Sequence, residues 1–214
     1  MKIIILMPMA TKQIHRDTMN SVLALMSAKY NGRKFEWVFK QVTESMVYDA
    51  RNQLFDWALQ EGFDYVLWID SDIVFEPEDF VKLLNARADF ASGLYFGKAK
   101  PHQPIAYINQ KRRTPFHYAS AEPIKDFNRS QSVDAVGFGF VLLSKKCCEQ
   151  IRKKFPRPFE PMRQMGEDLS FCWRWRHLNK GNKIQLVADT NLGHMGDYIY
   201  TKMNALPTSV RSSE

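Results

Sequence analysis

The 214-residue chain is predicted to be an α/β domain with a mostly parallel central sheet flanked by helices and a small antiparallel portion. Short apolar runs that suit buried strands alternate with longer segments of helical periodicity, which is the pattern of such a sheet. With 45% hydrophobic and 25% charged residues, the composition is that of a globular protein rather than a disordered chain.

The first strand and helix are clear in the sequence. Residues 2–7 are apolar and rich in β-branched side chains, as expected for a parallel strand that is buried on both faces. Pro8 is expected to end this strand. Residues 17–29 have an apolar side at helical spacing, and residues 35–39 alternate loosely as a second strand.

The next elements repeat the alternation. Residues 46–61 have helical spacing, and Gly62 is placed to end that helix. The run 65–69 is a third buried strand. A short helix over 78–85 and a fourth strand over 90–95 follow.

The second half is less regular. Prolines interrupt residues 98–129, where we expect loops and short antiparallel strands over the open side of the site. Strand character returns over 132–143. Two helices, 144–154 and 166–179, and a last strand over 184–188 complete the fold.

The domain is predicted to span residues 1–204, with 205–214 as a polar tail or a linker to a further domain. The formal net charge is +7, but the basic residues are scattered rather than in one block, so nucleic acid is not expected as a partner. No apolar run approaches the ~20 residues of a membrane span. Three cysteines without disulfide or zinc spacing indicate reduced thiols and a soluble, cytoplasmic protein.

Two carboxylates follow the third strand directly, in Asp70-Ser71-Asp72. Side chains two apart on extended backbone point the same way, so both carboxylates can face one cation. Mg²⁺ or Mn²⁺, which prefers oxygen ligands, suits this position, and a diphosphate is the natural partner of such an ion. The alternative is a polar turn that precedes the next helix.

Three other groups of residues are candidates for chemistry. Glu167-Asp168 opens a helix, where it either stabilises the helix dipole or supplies a carboxylate that accepts a proton. His194, flanked by glycines, is either structural or a ligand for Mn²⁺. Gly137 and Gly139 either form a bulge in a strand or let a sugar approach the backbone.

Arg51 lies in the helix that precedes the acidic strand. Its guanidinium is placed either to contact a phosphate or base, or to pair with a surface carboxylate of its own helix. The end of the first strand, Pro8 to Ala10, is expected at the same edge of the sheet as Asp70. In an open α/β sheet, ligands bind beyond the carboxyl ends of the strands.

The order of these motifs resembles that of the GT-A class of nucleotide-sugar glycosyltransferases. The resemblance lies in Asp70-Ser71-Asp72 after a hydrophobic strand, in Gly166-Glu167-Asp168 about a hundred residues later, and in a late Gly-His. Taken over residues 2–200, the chain looks like the glycosyltransferase domain encoded by chlorella viruses. The resemblance implies a Rossmann-like GT-A fold that uses a UDP-sugar and Mn²⁺ or Mg²⁺.

The resemblance also implies a role for each motif. Asp72 and His194 would bind the metal, and Asp70 would bind it more remotely or hold the ribose. Asp168 would be the base of an inverting transfer, with Glu167 orienting hydroxyl groups. The donor would be held by Pro8, Met9, Ala10, Arg51, Asp70, Ser71, Gly137 and Gly139.

We therefore expect transfer of a hexose or 6-deoxyhexose to a glycan or glycoprotein acceptor. Two alternatives come from other classes of protein. One is a metal-dependent phosphodiesterase or nuclease, suggested by the acidic motif and the basic charge. The other is a non-catalytic module that binds a nucleotide sugar or a glycan. A retaining enzyme can carry the same metal motif, so the stereochemistry stays open at this point.

Overall fold

A computed structural model describes residues 1–10, 13–30, 32–109, 121–196 and 199–202. The expected tail at 205–214 lies outside these ranges, and the domain end at 204 stays a prediction. The helices in the described ranges are α1 (Arg16–Ser27), α2 (Val47–Glu61), α3 (Pro77–Asn85), α4 (Lys145–Lys154) and α5 (Glu167–Leu178).

The strands of the described part are short except for the first two. They are β1 (Lys2–Met9), β2 (Glu36–Thr43), β3 (Tyr65–Ile69), β4 (Ile73–Val74), β5 (Phe90–Gly93), β6 (Ala106–Asn109), β7 (Ala121–Pro123), β8 (Gln131–Val133), β9 (Ala135–Val136), β10 (Phe140–Ser144), β11 (Ile184–Val187), β12 (Gly193–Met195) and β13 (Ile199–Tyr200).

Seven strands form the central sheet, in the order β2-β1-β3-β10-β5-β11-β8. β1 pairs in parallel with β2 and β3, and β11 pairs in parallel with β5. β10 is antiparallel to both β3 and β5, and β8 is antiparallel to β11. Five of the seven strands therefore run in one direction, which confirms the mostly parallel α/β sheet.

Helices cover both faces of this sheet. Apolar side chains of α2, α4 and α5 pack in one core on Ile4, Leu6, Val66 and Trp68. Those of α1 and α3 pack in a second core, on Ile3, Ile5, Leu67 and Ile69. The alternation of faces along β1 and β3 explains why both strands are apolar throughout.

Local signals place several helix ends correctly. Gly62 ends α2 with φ 69°, a backbone conformation that favours glycine, and its N–H donates to the Ala58 carbonyl. The Ser144 hydroxyl accepts a hydrogen bond from the Cys147 N–H at the start of α4. Pro77 occupies the first turn of α3.

Two expected boundaries are wrong. β1 does not end at Pro8 but continues to Met9, paired with β2. Its pairing with β3 stops at Leu6, and a strand with one neighbour tolerates a residue without an N–H. The strand character expected over 132–143, with an interruption at the two glycines, is three strands, β8, β9 and β10, because the segment also changes sheets before the glycines.

Two small antiparallel sheets complete the described fold. β7, β6 and β9 form one, as expected for the region of short antiparallel strands. β4, β12 and β13 form the other, and its register places His194 opposite Ile73, next to the acidic motif. Among the described helices, none has the length and apolar character to cross a membrane.

Candidate functional site

The candidate site lies where β1 and β3 end side by side. The two strands are parallel neighbours, so the residues that follow them lie at one edge of the sheet. Asp70 follows β3 directly. At the end of β1, Pro8 and Met9 are buried and Ala10 is exposed, so only Ala10 presents its side chain to a ligand without a rearrangement.

The Asp70-Ser71-Asp72 turn is bound to distant parts of the chain through its backbone. The Asp70 N–H donates to the Gly139 carbonyl at 3.0 Å. The Ser71 carbonyl accepts from the His15 N–H at 3.1 Å. These bonds hold the backbone of the turn, so the positions from which the two carboxylates extend are set before any ligand binds.

Arg51 links the two acidic motifs. Its Nη2 donates to Asp70 Oδ1 at 2.8 Å, and its Nε donates to Glu167 Oε1 at 3.4 Å. The guanidinium is buried, with its carbon 5.5 Å from the ring centre of Phe138 and 5.7 Å from that of Trp68. Arg51 is thus not a surface residue paired within its own helix, because its buried guanidinium contacts two carboxylates, Asp70 and Glu167, that lie far apart in the sequence.

Asp168 follows Glu167 directly, in the first turn of α5 after Gly166. Burial raises the pKa of Asp168 to about 7, and the negative charge of Glu167 acts in the same direction, while Arg51 opposes them. The Leu169 N–H donates to Asp168 Oδ1 at 2.7 Å. A carboxyl group with a pKa near 7 is suited to accept a proton from a hydroxyl group at neutral pH.

β12 brings His194 to Asp72. The Met195 N–H donates to the Asp72 carbonyl at 2.7 Å, and the His194 ring nitrogen Nε2 lies 3.5 Å from Asp72 Oδ2. The other ring nitrogen, Nδ1, lies 2.9 Å from the Phe96 carbonyl oxygen. Because a carbonyl oxygen only accepts, Nδ1 carries a proton and the orientation of the ring is fixed.

Lys98 also contacts Asp72, with its Nζ 2.6 Å from Oδ2. Burial raises the pKa of Asp72, but the contacts with His194 and Lys98 outweigh it and lower the pKa to about 2. Asp72 is therefore a carboxylate at every physiological pH. A permanently charged oxygen next to an imidazole nitrogen is a suitable start for a cation site.

The site offers a divalent ion two protein ligands rather than three. Asp72 and His194 supply one oxygen and one nitrogen, whereas Asp70 is bound by Arg51. Within the described ranges, no three side chains of His, Cys, Asp or Glu converge on one point. An ion such as Mn²⁺ here would take its other ligands from water and substrate phosphates.

Tyr95 packs against the glycine pair. The Gly139 N–H donates to the Tyr95 hydroxyl at 3.3 Å, and the ring of Tyr95 meets that of His194 edge to face, with centres 5.4 Å apart. A Cβ on Gly137 would lie 2.1 Å from the Tyr95 oxygen. The lack of side chains at Gly137 and Gly139 therefore makes space for the buried Tyr95, in addition to any contact with a sugar.

Two residues of the site were not predicted from the sequence. Lys98 opens an irregular, proline-rich segment, and Tyr95 ends an apolar strand. Neither belongs to a recognisable motif, and only the contacts made by the folded chain reveal them. The seven acidic, basic and histidine side chains that the structure groups here are Arg51, Asp70, Asp72, Lys98, Glu167, Asp168 and His194.

Clefts elsewhere are distinct from this site. One of about 360 Å³ and one of about 510 Å³ lie beside α3 and share Lys82 and Asn85 in their lining. Neither Asp70 nor Asp72 lines either cleft. The chemistry that the sequence indicates therefore belongs to the edge of the sheet, not to these clefts.

Comparison with solved structures identifies the class of fold. The structure is similar to A197 from STIV, with a TM-score of 0.61 and 18% sequence identity over 92% of this chain and 87% of that chain. It is similar to GalNAc-T7 with UDP, GalNAc and Mn²⁺ (TM-score 0.57, 8% identity, 91% of this chain and 44% of that chain). It is also similar to S. aureus TarS 1-349 in complex with UDP-GlcNAc (TM-score 0.50, 12% identity, 88% and 56%).

These likenesses establish a GT-A-type, glycosyltransferase-like fold for the chain. The chain spans only about half the length of the GalNAc-T7 and TarS chains, at 44% and 56%. No protein-family model and no curated protein sequence matches it. At such low identities the similarity concerns the fold, and activity has to be argued from the site.

Proposed function

We propose that the protein is a metal-dependent glycosyltransferase that moves a hexose or 6-deoxyhexose from a UDP-sugar to a hydroxyl group of a glycan or glycoprotein. The observation that carries this proposal is the convergence of two acidic motifs through Arg51, at the edge of the sheet where this class of fold binds ligands. The named neighbours that contain UDP or UDP-GlcNAc support the choice of donor.

The donor would lie across the strand ends. Arg51 binds one carboxylate oxygen of Asp70, and the other oxygen would hold the ribose hydroxyls. Ala10 would line the uracil side together with the backbone of Pro8 and Met9, with Ser71 under the diphosphate. Arg51 would act indirectly, by positioning Asp70. Gly137 and Gly139, which are buried against Tyr95, would border the sugar through their backbone.

Asp72 and His194 would hold Mn²⁺ or Mg²⁺, which neutralises charge that gathers on the leaving diphosphate. Asp168 would remove the proton of the acceptor hydroxyl as its oxygen forms a bond to the anomeric carbon of the donor. The bond between that carbon and the diphosphate breaks, and UDP leaves with the electron pair. Attack opposite to the leaving group inverts the anomeric carbon.

Glu167 would orient the acceptor or donor hydroxyl through the oxygen that does not face Arg51. The finer resemblance, to a chlorella virus domain and hence to a glycan on a viral protein, rests on sequence motifs alone. A cytoplasmic location rests on the three cysteines, which are free and buried.

Calorimetric titration of UDP, with and without Mn²⁺, tests the donor site. We expect binding that requires Mn²⁺ in the unaltered protein and disappears in Asp72→Ala. Asp126→Asn, which changes an exposed carboxylate paired with Arg129, serves as the matched control and should bind like the unaltered protein. Screening UDP-sugars for hydrolysis then identifies the sugar.

Two outcomes would contradict the proposal. If the protein does not bind UDP with or without Mn²⁺, the proposed donor site is wrong. Tight binding of oligonucleotides together with that result would favour the alternative of a metal-dependent phosphodiesterase or nuclease. UDP binding without any turnover, unchanged in Asp168→Asn, would favour a binding module. An enzyme instead loses turnover in Asp168→Asn while it keeps UDP binding.

A further inference from the structure

Lys98 occupies the position in which a metal ion would contact Asp72. Its Nζ is 2.6 Å from Asp72 Oδ2, and the same oxygen is 3.5 Å from His194 Nε2. An ammonium and a divalent ion that contact the same carboxylate oxygen repel each other at short range, so the two cations compete for this oxygen. In this conformation the lysine therefore takes the place of the ion.

The orientation of His194 makes this point suitable for a cation. Its Nδ1 donates to the Phe96 carbonyl, so Nε2 is the ring nitrogen that faces Asp72, 3.5 Å from Oδ2. A divalent ion here would be bound by both the carboxylate oxygen and Nε2. The Lys98 ammonium contacts the same carboxylate oxygen.

The position of Lys98 in the chain allows the ammonium to leave. Lys98 lies in the loop 97–103, the base of which is closed by a 2.9 Å hydrogen bond from the Gly97 N–H to the Gln103 carbonyl. Its side chain is 39% exposed, and its contact with Asp72 involves side-chain atoms alone. Rotation about the flexible stem can thus move Nζ without breaking this backbone contact.

We propose that the Lys98 ammonium holds the cation position on Asp72 in the donor-free protein, and that a divalent ion displaces it when a nucleotide diphosphate binds. This inference rests on the proposed function. One carboxylate cannot balance both a divalent ion and an ammonium, whereas a diphosphate brings at least two further negative charges. The displaced ammonium then binds the diphosphate, so metal and donor bind cooperatively.

The experiment measures free Mn²⁺ by electron paramagnetic resonance while the protein is titrated, with and without UDP. Without UDP, we expect Lys98→Gln to bind Mn²⁺ about tenfold more tightly than the unaltered protein, because no ammonium competes. UDP should tighten Mn²⁺ binding strongly in the unaltered protein and much less in Lys98→Gln. Lys98→Arg keeps the charge, and Lys100→Gln removes an exposed lysine two residues away, so both should resemble the unaltered protein.

Other results would overturn the inference. Equal Mn²⁺ affinity of the unaltered protein and Lys98→Gln without UDP would show that the lysine does not compete. UDP binding that needs Lys98 but no metal would show that the lysine replaces the ion permanently, while the donor site itself stands. Failure of UDP to bind in every variant contradicts the proposed function instead, and the comparison of Mn²⁺ affinities without UDP still decides the role of Lys98.

Discussion

Asp168 combines two properties that a base for a sugar hydroxyl requires. It lies near a guanidinium that keeps it in place electrostatically, and burial holds its pKa at about 7, well above that of an ordinary carboxyl. A carboxylate with a pKa of about 4 would be a much weaker base. The proposed role of Asp168 therefore follows from its surroundings rather than from its residue type.

The pH dependence of turnover tests this role. Only the ionised form of Asp168 accepts a proton, so we expect kcat/KM to rise with pH and to level off above about 7. Asp168→Asn should reduce kcat by roughly 10² to 10⁴-fold. A rate profile that is flat from pH 5 to 8, at saturating Mn²⁺, would contradict a base with this pKa.

Arg51 is expected to be the most sensitive single side chain for stability in the site. Arg51→Met leaves Asp70 and Glu167 without their shared cation in a partly buried position, and we expect a loss of about 3 kcal/mol in the free energy of unfolding. The matched control is Arg16→Met, because Arg16 pairs with Asp17 at the exposed surface. That change should cost less than about 0.5 kcal/mol.

Urea denaturation of both variants measures these differences. If Arg51→Met and Arg16→Met had similar free energies of unfolding, the buried link between the two acidic motifs would not contribute to the fold. A loss of UDP binding in Arg51→Met that is accompanied by native-like stability would instead indicate direct contact between Arg51 and the donor.

At the scale of elements, the connection between β9 and β10 decides the shape of the site. It carries the two glycines, and its Gly139 carbonyl accepts from the Asp70 N–H, so the glycine segment and the acidic turn hold each other. Tyr95, two residues after β5, fills the space that a side chain on Gly137 would need. The acidic turn after β3, the glycine segment before β10 and Tyr95 after β5 are thus packed against one another.

Gly137→Ala tests this coupling. Its Cβ would lie 2.1 Å from the Tyr95 hydroxyl and 2.7 Å from Ile105, so we expect a loss of about 1 to 3 kcal/mol from overpacking. Gly181→Ala is the control, since a Cβ there meets no atom within 4 Å. Thermal unfolding should separate the two variants, and equal melting temperatures would contradict the tight contact.

For the whole molecule, the raised pKa of Asp168 has a cost in stability at high pH. The folded protein holds this proton up to a pH of about 7, whereas the unfolded chain releases it near pH 4. Asp168 therefore contributes most to stability below pH 4, and its contribution is lost as the pH rises to about 7. The functional carboxylate opposes folding at the pH at which it would work.

Asp168→Asn should remove that cost. We expect the variant to be more stable than the unaltered protein at pH 8, by an amount on the order of 2 kcal/mol, and to differ little at pH 4. Urea denaturation at the two pH values measures the difference. A variant that is destabilised more at pH 8 than at pH 4 would indicate that Asp168 serves the fold as a carboxylate.

Much of the architecture could be predicted from the sequence, because local signals set it. The apolar runs of β1 and β3, the glycine after α2 and the serine before α4 each depend on neighbouring residues only. The end of β1 at Met9 could not be predicted in this way. Whether a proline is tolerated depends on how far the next strand extends, and that is a tertiary property.

The sequence by itself determined the class of fold and most of the charged side chains that converge at the edge of the sheet, since strand alternation and acidic motifs are written in short segments. Only the tertiary structure decided their relationships: the Arg51 link, the contact of Lys98 with Asp72, and the raised pKa of Asp168. Each of these depends on distance and burial between segments far apart in the chain, and Coulomb energies and desolvation have no local signature in sequence.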